Sequence, residues 1–213
     1  VRSEDLIEFG FESEFVGRLP VRAVFEHLTE EDLYCILKNP NNPIILGKKL
    51  DFAAYDIEIK FEDRLLHTLA EYAFAENTGA RGLVSAVEKV LLEYERKLPS
   101  AGIKKFPATS SILEKPQASI KALTASDQEQ KTVELFDRLL QQEKESIREY
   151  LKNNKINLTE KYSLTMTSSR IDLVAACYVN NTMDIGNVIK KIKSYYDEIK
   201  KIELYFFKNH DIN

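Results

Sequence analysis

Ile185, Val188, Ile192, Tyr195, Ile199, Ile202 and Phe206 follow one another at alternating steps of three and four residues. Only an α-helix gathers such positions into one stripe, and three heptads of it make an a/d seam of coiled-coil type. The stretch from about 128 to 153 repeats the spacing in Val133, Phe136, Leu140, Glu143, Ile147 and Tyr150, with Glu143 alone interrupting the seam. No proline occurs from residue 128 onward, so nothing there breaks a helix. Between the two seams, "SSRIDLVAACYVNN" reads as a third helix with Ser168 or Ser169 as its cap, whereas "KYSLTMT" before it has the look of a strand. Residues 128–213 are therefore expected as a helical extension, either a bundle closing on its own core or a coiled-coil arm presented to a partner. Tyr195, Tyr196, Tyr205, Phe206 and Phe207 bring the final helix more aromatic bulk than one seam needs, which suits an interaction face or a plain core.

The first hundred residues have a different order. "LTEEDLYCILKNP" opens on Thr29 as N-cap, carries acidic residues in its first turn, aligns Leu33, Ile36 and Leu37, and stops at Pro40. "DIEIKF" alternates Ile57, Ile59 and Phe61 with polar partners, the pattern of a half-buried strand. "EDRLLHTLAEYAFAEN" sets Leu65, Leu66, Leu69, Tyr72 and Ala73 at helical spacing, and a further helix runs from near Thr78 to just before Pro99. A helix, a strand and two more helices predict a small α+β lobe. The next segment, "AGIKKFPATSSILEKPQASIKALTASD" (101–127), has two prolines, many small polar residues and no sustained period. It reads as a linker in which only "ASIKAL" suggests a short strand.

Composition narrows the function classes. A net charge of −4 and a pI near 5.6 give no basic footprint for nucleic acid or an acidic membrane. The two cysteines, Cys35 and Cys177, do not form a disulfide framework or a CxxC. His27, His67 and His210 are scattered, so no metal-ligand spacing exists. The N-terminal residues have no apolar leader, and no run of 18 apolar residues occurs. A cytoplasmic protein is the expectation.

Two arginines stand in constrained settings. In "EFVGRLPV", Arg18 lies between a glycine and a proline, and its planar guanidinium matches phosphate oxygens. In "NTGARGL", Gly79 marks a turn and Arg81 enters the first turn of the helix that follows. A helix N-terminus suits an anion and disfavours a cation, so Arg81 runs against local stability, as functional residues do. Taken singly, either arginine is also compatible with an ordinary solvated side chain.

The two stretches belong to a longer pattern. "EDLIEFGFESEFVGRLPV", "LTEEDLYCILKNPNNPI" and "KFEDRLLHTLAEYAFAENTGARGLVSAVEKVLLEYERKLPS" resemble, in order and spacing, the C-terminal part of ClpX-like AAA+ unfoldases, from about residue 4 to residue 100. The resemblance implies an end segment of the large AAA+ domain at 1–27, a small AAA+ domain at 28–100, a linker at 101–127 and an unusual helical extension at 128–213. It implies a mostly helical α+β fold: a small AAA+ lobe of helices and short strands followed by the helical tail. It places the arginine finger, which reaches in trans to the γ-phosphate of a neighbouring subunit's ATP, on Arg18. It places sensor 2 on Arg81, with Gly79 and Ala80 shaping the turn, and points to Leu28 and Ile36 for the adenine pocket.

ATP is the implied cofactor, with Mg²⁺ held through the large domain. The implied assembly is a homo-hexamer working on unfolded protein substrates with a ClpP-type protease; neither nucleic acid nor membrane is implied. The sequence contains no G-x-x-x-x-G-K-[ST] and no Walker B acidic pair, so the chain is expected to be part of an ATPase and inactive alone. Ser13 stands where the family usually has proline and Val84 where many members are basic; the family usually stops soon after "LPS". The alternative reading is a non-catalytic interaction or oligomerisation module that works through its heptad-patterned tail.

Overall fold

The computed structural model describes the backbone of residues 2–125 and 128–210 and the side chains of 2–125 and 128–201. The side chains of Ile202, Tyr205, Phe206 and Phe207 lie outside the described residues. Two short helices, α1 (Ser3–Phe9) and α2 (Ser13–Gly17), open the chain and pack on each other, and residues 18–29 follow without regular structure.

The lobe begins where its capping residues dictate. The Thr29 hydroxyl accepts the Asp32 N–H at 3.2 Å while the Asp32 carboxylate accepts the Thr29 N–H at 2.9 Å. This reciprocal cap starts α3 (Glu30–Lys38), whose Leu33 and Leu37 are buried. An additional helix comes next, α4 (Pro43–Ala53), which the hydrophobic pattern does not announce. Its start is set by capping: Asn42 accepts the N–H groups of Ile44 and Ile45 at 2.8 and 3.2 Å, and Pro43 occupies the first helical position. Strand β1 (Glu58–Phe61), α5 (Asp63–Ala75) and α6 (Ala80–Lys97) fall where expected.

The segment expected as a linker is instead part of the lobe. Residues Lys105–Ala108 form β2, parallel to β1 in the register Ile59 to Phe106 and Phe61 to Ala108. The crossover that a parallel pair requires is supplied by α5 and α6. Pro107 is tolerated because a two-stranded sheet is all edge. Phe106 is fully buried between the rings of Phe52 and Tyr94, at centroid distances of 5.4 and 5.3 Å. Two helices follow, α7 (Ser111–Glu114) and α8 (Pro116–Thr124), and the Tyr94 hydroxyl donates to the carbonyls of Ile112 and Pro116. "ASIKAL" is therefore helix, not strand: Pro116 opens α8 and Ile120 faces the core. Three buried anchors, Phe106, Ile112 and Ile120, sit among the small polar residues that give the segment its linker-like composition.

The tail is α9 (Glu129–Asn153), α10 (Lys155–Tyr162), α11 (Ser168–Val179) and α12 (Ile185–His210). It closes on a second core, built from Ile147, Leu151, Met166, Val174, Ile185 and Ile189 among others. Thr167 caps α11, one residue before the expected serines. "KYSLTMT" is not a strand. Lys161 and Tyr162 close α10, Ser163 caps it in the left-handed region, and residues 164–167 follow without regular structure. Leu164 and Met166 are buried and Ser163 and Thr165 exposed, which accounts for the alternating pattern. Helix α9 lies against both strands, and the Tyr178 hydroxyl donates to the Pro40 carbonyl at 2.9 Å. The tail is thus docked on the lobe.

Candidate functional site

The turn before α6 sets the position of Arg81. Asn77 has φ +53° and Gly79 has φ +63° with ψ −147°, a combination reserved for glycine. Gly79 is the N-cap and offers no side-chain cap, so the first amides of an 18-residue helix are left without a side-chain acceptor. Arg81 projects from this end as an exposed side chain, with Ala80 exposed beside it and Gly79 half-buried. Gly82, absent from the residues that the family resemblance points to, holds the same end in place. A Cβ there would sit 2.7 Å from Thr78 Oγ1 and 2.9 Å from the Ala73 carbonyl oxygen, so α5 and α6 meet at that point with no room for a methyl group. The helix end, its dipole and the arginine make an arrangement able to hold phosphate oxygens.

The other expected residues are dispersed. Arg18 ends α2, largely exposed, and among the described residues its guanidinium pairs with Glu14 at 2.5 Å, one turn back. Exposed pairs of this kind are weak, so Arg18 is available to another anion. Leu28 is 37% exposed just ahead of the α3 cap, and Ile36 packs half-buried against the lobe core. No group of three or more His, Cys, Asp or Glu side chains is placed to hold a metal ion among the described residues.

The lobe also carries charge clusters that leave little trace in the sequence. Lys49 on α4 and Lys60 on β1 are buried, and both meet Glu143 of α9, Lys60 Nζ lying 3.0 Å from its Oε2. Lys60 also donates to the Val179 carbonyl, and the Lys49 ammonium sits 5.0 Å from the centre of the Tyr178 ring. Burial works against the Glu143 carboxylate, but the two lysines outweigh it and hold its pKa below the ordinary range; burial pushes Lys49 down. The one visible signal is Glu143, the residue that interrupts the α9 seam. Beside this cluster lies a cleft of about 320 Å³ between lobe and tail, lined in part by Lys38, Asp63, Gln142 and Ser146. There Lys38 pairs with Asp63 at 3.0 Å, and the Tyr34 hydroxyl donates to Asp63 at 2.8 Å. On the far side of α4, Lys48 is ringed by Asp51, Glu88 and Glu95; burial opposes its charge, yet these carboxylates raise its pKa.

The fold and the α6 end can be compared with known proteins. The family model described as the C-terminal, D2-small domain, of ClpB protein matches residues 28–102. The ATP-dependent Clp protease ATP-binding subunit ClpX of Treponema denticola is 38% identical over 100 residues, 47% of this chain and 24% of that protein. Residues 28–102 are thus similar to the small C-terminal domain of ClpB, and about half of the chain is similar to ClpX. The ClpX proteins of Borrelia duttonii and Borrelia recurrentis are each 42% identical over 98 residues, 46% of this chain and 23% of theirs. The chain spans about a quarter of the length of these relatives. The small-domain match ends at Gly102, just before β2, so the strand, α7 and α8 that complete the lobe core lie beyond it. No helix among the described residues is long and apolar enough to cross a membrane.

Proposed function

We propose that this chain supplies the C-terminal portion of a ClpX-like ATP-dependent protein unfoldase. The observation that carries the reading is the exposed Arg81 at the side-chain-uncapped N-terminus of α6, within the segment that matches the small-domain family. In this reading Arg81, with Gly79 and Ala80 at the turn, holds phosphate oxygens of the subunit's own ATP as sensor 2. Leu28 and Ile36 offer apolar contact to the adenine, and Arg18 reaches the γ-phosphate of a neighbouring subunit. Charge spreading over transferring phosphoryl oxygens is best met by a fixed cation arriving from outside, and a finger of this kind contributes roughly three to five powers of ten in rate. Mg²⁺ and the Walker residues belong to a large AAA+ domain, the assembly is a cytoplasmic hexamer, and a ClpP-type protease and unfolded proteins are the partners.

In the full-length protein that this reading requires, Arg18→Ala abolishes ATP hydrolysis with nucleotide affinity largely kept, whereas Arg81→Ala weakens both. ATPase rates and nucleotide titrations on the two variants test it, and wild-type rates in both would sink the assignment. The 213-residue chain alone hydrolyses no ATP in this reading.

The docked tail favours a second reading, a non-catalytic interaction module. Helix α12 carries exposed apolar residues, Tyr195 and Ile199, beyond the part that the bundle covers. The two readings are compatible, since a tail of this kind can serve an active motor.

A further inference from the structure

Helix α12 leaves the bundle with its apolar stripe half covered. Val188 and Ile192 are buried, whereas Tyr195 and Ile199, the next two positions of the stripe, are 56% and 51% exposed. Helix α11 has 12 residues against the 26 of α12, about 18 Å against about 39 Å at 1.5 Å per residue. It runs out before the stripe does. Between the two opens a mostly apolar groove of about 340 Å³, formed in part by Leu173 and Cys177 of α11 and by Val188, Ile192, Tyr195 and Ile199 of α12, with Lys191 at its wall.

We propose that this groove receives α12 of a second copy of the chain, running antiparallel in a two-fold symmetric contact. The groove continues the packed α11–α12 interface outward along the same stripe. An occupant that prolongs this packing is a helix with apolar residues at steps of three and four, and α12 itself has that spacing. Val188, Ile192, Tyr195 and Ile199, four of the six α12 residues that line the groove, are also self-complementary. They lie symmetrically about the midpoint between Lys193 and Ser194. An antiparallel copy therefore sets Val188 of each chain against Ile199 of the other, and Ile192 against Tyr195, as an isologous contact demands. Charge agrees with this register. Lys191 and Glu198, each one residue before an apolar groove position, are exposed, and the two-fold brings Lys191 of one copy beside Glu198 of the other.

The inference deepens the second reading of the tail and is independent of the nucleotide assignment. It is tested by sedimentation velocity on the 213-residue chain from low micromolar to a few hundred micromolar. The expected result is a concentration-dependent dimer. Ile199→Asp, on an exposed position, weakens it by roughly fiftyfold or more because a charge would enter an apolar contact. Lys191→Glu and Glu198→Lys each weaken it by about three- to tenfold, and the double swap restores it. Thermal melts of all variants establish that the fold is kept. A chain that stays monomeric throughout overturns the proposal and leaves the groove to a different protein. A dimer indifferent to Ile199→Asp overturns it by placing the contact elsewhere, and a dimer that the double swap fails to restore overturns the antiparallel register. None of these outcomes bears on the ATPase rates of the Arg18 and Arg81 variants, so the two assignments fail separately.

Discussion

Glu143 shows how much a single residue decides here. It stands at a seam position of α9 where an apolar side chain is expected, and it sits between two buried ammonium groups from the lobe. Removing one partner of a buried ion group leaves charge uncompensated, so Glu143→Gln is expected to cost about 3–5 kcal/mol in unfolding free energy by denaturant titration. Replacing all three residues with apolar side chains of similar size (Lys49→Met, Lys60→Met and Glu143→Leu together) is expected to be neutral or stabilising by the same measurement. The pH dependence follows from the direction of the shift. The folded pKa of Glu143 lies below the unfolded value of about 4.3. Its contribution is therefore complete above that value and is lost as the pH falls through the folded pKa. Asp63 behaves alike: burial opposes its charge, but Tyr34 and Lys38 lower its pKa. Stability measured from about pH 6 down to about pH 2 is expected to fall steeply at the acid end, and less steeply in Glu143→Gln. At Gly82 the constraint is steric, and Gly82→Ala is expected to cost about 1–3 kcal/mol by overpacking against the Ala73 backbone, read as a lowered Tm.

Among the elements, those with both a cap and a period are legible in the sequence. Thr29 with Asp32, the alternation of Ile57, Ile59 and Phe61, and the stripes of α5, α6, α9 and α12 each combine a local signal with a long-range one, and the structure has an element at each. Helix α4 is harder to read because its period is muddied by Lys48 and Lys49, which are buried by charge pairing and not by hydrophobicity. Strand β2 escapes a sequence reading because four residues with a central proline carry almost no local pattern. What makes them a strand is β1, far earlier in the chain, through the pairing of Glu58 with Lys105 and of Phe61 with Ala108. Arg81 stands out through its turn, whereas the Lys49–Glu143–Lys60 cluster joins three elements distant in sequence and leaves only one interrupted seam as a trace. For β2 the expectation is that Phe106→Ala costs about 3–5 kcal/mol, a larger loss than truncating any exposed residue of α7 or α8, measured by thermal or denaturant unfolding.

At the scale of the molecule, two apolar cores meet across a charged seam. The lobe core draws on residues from Leu33 to Ile120, so a chain shortened to end at residue 124 is expected to keep a cooperative unfolding transition, while one ending at residue 102 is expected to lose it. Calorimetry on the two distinguishes this from a lobe complete at its last long helix. Besides the packing of α9 on the strands, the tail is fastened near one corner of the lobe: Tyr178 donates to the Pro40 carbonyl, Asn41 donates to the Tyr150 hydroxyl, and the Ile185 N–H donates to the Asn41 side chain. That last bond ties the first residue of α12 to the turn between α3 and α4. A helix about 39 Å long, pinned at its root to such a turn, works as a pointer. If the lobe tilts by about 10°, the far end of α12 sweeps through roughly 7 Å, so a small rotation of the lobe becomes a displacement large enough for a neighbour to sense.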